Sequence, residues 1–144
     1  MTVDVSYVRK QVQVAIEQAR ERARQRREGA VAAEAAWKLF LDGTAVPLMR
    51  MLIEGLKAEG RPFSVSTPGG GVRLAHDRGR DDYIDLALDT TSVPPQVMAS
   101  IRYTRGSRTV EEERPVRAGA GPADISQDEL LAFLLDALTP FLDR

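Results

Sequence analysis

With 144 residues and 43% hydrophobic content, the chain is sized for one compact domain with a real core. A formal charge of -1 excludes a global field drawing it to nucleic acid or membrane, and the absence of cysteine excludes disulfides, zinc–thiolate sites, iron–sulfur clusters and thiol nucleophiles. No apolar run approaches the ~18 residues of a membrane span, and the opening TVDVSYVRKQ lacks the basic-then-apolar pattern of a secretory signal, so a cytoplasmic protein with no membrane partner is expected.

The first forty residues read as helix, with no proline and only Gly29 to weaken them. Val5, Val8, Val12, Ala15 and Ala19 recur at spacings of three and four and form one apolar stripe. Ala30, Ala33, Trp37 and Phe40 resume it beyond an Arg-rich middle. Asp4 or Ser6 is placed to cap the start. An unbroken helix over 4–41 spans about 57 Å at the usual rise, against about 26 Å for a compact 100-residue body. Such a helix overhangs its domain, folds back at Gly29, or packs on another subunit, and the last is favoured. The charge divides at the same place, since residues 1–41 carry eight Lys/Arg against five Asp/Glu and the remainder twelve against sixteen.

DGTAVP predicts a break, with Thr44 as N-cap and Pro47 in the first turn of a second helix whose core face is Met49, Leu52, Ile53 and Leu56. Gly60 and Pro62 end that helix. From Phe63 the period changes to two. FSVST, VRLAH, DYIDLALD, QVMASIRYT and RTVEEERPVR alternate, separated by the turn segments DRGRD, TSVPP and RGS, and Pro115 demotes the fifth strand to an edge. Ser126 and Glu129 form a capping box, with Ile125 and Leu130 as a hydrophobic staple. The final helix, LLAFLLDALTPFL, is apolar on most of its circumference and must be covered on more than one side. The fold class that follows is α+β: a long N-terminal helix and a second helix, a five-stranded antiparallel meander, and a C-terminal helix, with the helices packed on one sheet face. Residues 1–41 are read as the long helix, a dimerising extension, and 42–144 as the compact domain.

The stretch STPGGGVRLAHDR raises the question of phosphate binding. A Walker loop needs Lys and Ser/Thr after its last glycine and a helix to follow, and Leu74 stands where a dinucleotide fingerprint needs glycine. Gly69–Gly71 are therefore read as a hairpin turn. His76 is the only histidine, which excludes a two-histidine metal centre, and no G-x-S-x-G elbow is present, so no catalytic residue, metal or cofactor is assigned. Asp77, Asp81, Asp82, Asp85 and Asp89 form the densest acidic group, but Asp85 and Asp89 stand about 13 Å apart along a strand, too far to share a metal. Cross-strand pairing with Arg73 and Arg102 is the plainer account. In RERARQRRE, Arg20, Arg24 and Arg27 project to one side and Arg22 and Arg26 nearly opposite, with Glu17, Glu21 and Glu28 within pairing distance and no aromatic for base stacking.

Three functions from different classes are compatible with these patterns. The leading one is a non-enzymatic protein-interaction or assembly module, a homodimer through its helices, with Val5, Val8, Val12, Ala15, Ala19, Trp37, Phe40, Leu131, Leu135 and Leu138 as interface candidates. For Trp37 and Phe40 core packing is the first reading and an interface the second. The second function is nucleic-acid binding through Arg20, Arg22, Arg24, Arg26 and Arg27. The third is a small-molecule pocket between sheet and final helix, lined by Phe63, His76, Tyr83, Tyr103 and Phe133.

Overall fold

The structure is a computed structural model that describes residues 3–78 and 81–143. Gly79 and Arg80, within the expected DRGRD turn, lie outside the described residues.

Helix α1, Val5–Phe40, is continuous through Gly29 and is about 54 Å long at the usual rise. Asp4 caps it, its carboxylate accepting from the Tyr7 N–H at 2.8 Å. The expected break at DGTAVP is not there. Leu41–Ala45 forms a π-helical turn in which the Val46 N–H donates to the Leu41 carbonyl, and the chain runs directly into α2, Val46–Ala58. Thr44 caps nothing, since no side chain bonds the start of α2. Proline supplies the physical reason. Pro47 has no N–H to give, and its ring would strike the carbonyl of Gly43 in a regular helix, a conflict that one wider turn relieves. Helix α2 ends as expected, with Gly60 at φ 72° and two bonds closing the last turn, from the Gly60 N–H to the Lys57 carbonyl and from Arg61 to Leu56.

Five strands follow: β1, Phe63–Ser66; β2, Val72–His76; β3, Tyr83–Asp89; β4, Gln96–Arg105; and β5, Arg108–Pro115. They pair in sequence order as an antiparallel meander, with β5 and its Pro115 at an edge. The register places Val65, Leu74, Ile84 and Ile101 in one row across the sheet, and Val72, Leu86 and Ala99 in the next. Period two puts these on a single face. Against it lie Trp37 and Phe40 from α1, Leu48, Met49 and Leu56 from α2, and Leu130, Leu134, Leu138 and Phe141 from the last helix, all buried. The core thus recruits the end of α1, before residue 42. The opposite face is polar: Arg73 makes two bonds to Asp85, at 2.7 and 2.8 Å, and Arg102 approaches Glu111 at 3.5 Å.

The glycine loop is the hairpin between β1 and β2, with Gly69 at φ 58° and Gly70 at φ 82°. A Cβ on Gly71 would lie 2.7 Å from the Leu86 carbonyl oxygen, so only glycine lets this loop close on β3. Its second task is to receive α1. The Trp37 indole N–H donates to the Gly70 carbonyl at 2.8 Å, fastening the long helix to the sheet.

Helix α3, Gln127–Leu142, packs against β4 and against the 41–45 turn, so its second flank is covered by the same chain's N-terminal half. The capping box is formed in both directions, with Ile125 and Leu130 buried beside it. Its bond from the Ser126 N–H, and then the Arg117 guanidinium, hold the Glu129 carboxyl below the usual range. A depressed carboxyl contributes stability that is complete above its ordinary pKa and is lost as pH falls through the lowered one. Wild type should therefore exceed Glu129→Gln in urea midpoint near about pH 7, and the gap should narrow toward about pH 3. A gap independent of pH would contradict this. Among the described residues, no helix is long and apolar enough to cross a membrane.

Candidate functional site

Every residue of the chain from Val3 to Arg22 is exposed, while Ala23, Gly29, Ala30, Ala33 and Ala36 are half-buried and Trp37 and Phe40 are buried. Helix α1 is thus two structures in one. Its last turns are part of the core, and its first five turns stand clear of the body. At a helical angular step the buried and half-buried residues share one stripe with Val5, Val8, Val12, Ile16 and Ala19. The face that is core at one end is therefore bare at the other, with Val5 76%, Val8 47%, Val12 50% and Ile16 46% exposed.

In heptad terms Val5, Val8, Val12, Ala15 and Ala19 occupy alternating a and d positions, and the same positions continue as Arg22, Arg26 and Gly29. Those last three, with Gln25, form one wall of a groove of about 460 Å³ at the root of the overhang. The other wall is the β3–β4 loop, residues 90–95. Asp89 pins that loop: its carboxylate accepts from the Thr91 N–H at 2.9 Å and from the Thr91 and Ser92 hydroxyls at 2.6 Å each. These bonds, that from Ser92 foremost, hold the Asp89 carboxyl below its usual range. The Val93–Pro94 peptide is cis, and Val93 is 81% exposed at the groove's rim.

The five arginines of RERARQRRE do not act as one patch. Arg24 is bonded to Glu21 and Glu28, and that bond from Arg24 lowers the Glu21 carboxyl. Arg22 and Arg26 line the groove. Arg20 and Arg27 lie toward Arg24's side of the helix.

The proposed sheet–helix pocket residues are distributed more widely. Phe63 and Tyr103 both meet the Phe141 ring, at 6.2 and 5.8 Å, and the His76 ring stands edge-on to Phe63 at 4.8 Å. Tyr83 is on the other sheet face, beneath the Arg73 guanidinium at 4.0 Å, and Phe133 lies beneath Arg114 at 5.1 Å. Among the remaining interface candidates Leu138 is buried, Leu131 half-buried and Leu135 48% exposed. Asp82, buried to 2% exposure just before β3, accepts from the Thr104 N–H of β4 at 2.9 Å. Among the described residues, no three His, Asp or Glu side chains converge as a metal site.

The groove wall at 90–95 leaves no mark in the sequence, where TSVPP reads only as a turn. The heptad register marks only the facing wall, because it carries the seam of α1 past Ala19 onto two arginines and a glycine. Comparison with family models, with curated proteins and with solved structures found no match.

Proposed function

We propose that this protein is an assembly module, an interaction protein rather than an enzyme, that forms a homodimer through the overhanging half of α1. One observation carries the reading: the apolar stripe that buries Trp37 and Phe40 within the chain continues, uncovered, through Ala19, Val12, Val8 and Val5. A lone amphipathic helix of this length is marginal in water and takes most of its stability from a packed partner. The seam's valines and alanines are small, which favours the close end of the about 8–10 Å range of helix separations. Its flanks also suit self-association, because Gln11, Gln18 and Gln25 repeat along one side and Arg9, Ile16 and Ala23 along the other.

Light scattering with size-exclusion chromatography tests the proposal. The chain has a mass of 15.9 kDa, and twice that mass is expected at concentrations of about 10–100 μM, falling toward the monomer on dilution. A monomer throughout this range overturns the reading. A monomer that retards RNA or DNA at low salt would transfer the same helix to the nucleic-acid function, through Arg20, Arg22, Arg24, Arg26 and Arg27.

A further inference from the structure

Resting on that reading, we infer that the groove between α1 and the 90–95 loop seats residues 3–5 of a second copy, so that the two α1 helices run antiparallel and each body binds the other chain's N-terminal residues.

Length is the first argument. From Val5 to Arg22 the overhang measures about 25 Å. An identical antiparallel helix that covers it end to end brings its own first residues to Arg22 and Arg26, where the groove opens.

Register is the second. In an antiparallel pair a positions face d positions. The alignment that covers the whole seam sets Val5 opposite the partner's Arg22, Val8 opposite the partner's Ala19, and Val12 opposite the partner's Ala15. Each inner layer then matches one larger side chain with one smaller, the condition for interdigitation without voids. Sliding by one heptad toward the bodies would set Val8 and Val12 against Arg26 and Arg22 instead.

Charge is the third. A parallel pair in register would stack Arg22 on Arg22 and Arg26 on Arg26 along a desolvated seam, a repulsive arrangement. The antiparallel pair brings Asp4, the only acidic residue before Glu17, to those arginines. The Arg22 stem covers Val5 while its guanidinium reaches toward Asp4. At the rim, Val93, Pro94 and Pro95 offer an apolar wall to Val3 and Val5.

The test uses the full chain, which has no cysteine of its own. Val3→Cys and Val93→Cys chains are mixed and treated with a short bismaleimide, with far-UV circular dichroism confirming that both stay folded. Both positions are exposed within the chain, at 59% and 81%. The mixture should give a covalent heterodimer about tenfold or more above the product from either chain alone, because pairing raises the local thiol concentration. A dimer in which Val3→Cys links to itself places the helices parallel and overturns the inference. A dimer with no product between the two positions does the same, and both outcomes leave the assembly reading standing. A protein that is monomeric by light scattering removes both.

Discussion

Replacing Val8 and Val12 together with glutamate should convert the proposed dimer to a monomer while leaving the fold of each chain unchanged. Both side chains are about half exposed in the chain itself, at 47% and 50%. Substitutions at exposed positions usually shift stability by no more than about 0.5 kcal/mol. In a seam the same change buries four carboxylates per dimer beside apolar side chains, so a loss of more than about a hundredfold in dimer affinity is expected, or about 3 kcal/mol. Sedimentation equilibrium measures the affinity, and thermal unfolding of the monomer checks the fold. A double variant that still dimerises with wild-type affinity would place the interface elsewhere. A control at Val31, exposed and outside the seam, should leave the affinity as it was.

The second large effect belongs to Trp37. Trp37→Ala empties a buried site beside Phe40, whose ring centroid is 5.6 Å away, and leaves the Gly70 carbonyl without its donor. Truncation of a buried aromatic costs about 3–5 kcal/mol, a large fraction of the about 5–15 kcal/mol that holds most domains. Urea denaturation followed by far-UV circular dichroism is the measurement, because the only tryptophan is removed. Trp37→Phe separates the two contributions, since it keeps a ring but not the donor and should cost about 1–3 kcal/mol. Equal costs for the two variants would show that the hydrogen bond, rather than the packing, fastens α1 to the hairpin.

Where sequence patterns and structure agree, the determinant is local. Ile84, Leu86 and Leu88 alternate because β3 has one buried face, and Ser126 and Glu129 satisfy each other's amides within four residues. Where they part, the determinant is distant in the chain. Asp42-Gly43-Thr44 has the composition of a break, yet the chain stays helical through one wide turn that accommodates Pro47, and that turn lies against α3, more than eighty residues on. No pattern in the sequence ties Trp37 to Gly70, because a side-chain bond to a backbone carbonyl leaves no mark on composition. The site divides in the same way. The bare valine stripe was legible from its three-and-four spacing, whereas the groove needed the 90–95 loop brought beside Arg22 and Arg26. Tyr83 is instructive, since strict alternation with Ile84 already assigns it to the face away from α3.

The bond between the Trp37 indole and the Gly70 carbonyl anchors the rooted end of a lever whose free arm begins where α1 leaves the body, at Ala23. Val5 lies about 27 Å beyond Ala23 along the same helix, so a tilt of about 5° there displaces the tip by about 2 Å. In an antiparallel pair the two levers lie side by side, each tip against the other's root. A tilt of one arm in such a pair would change how its tip sits against the opposite root.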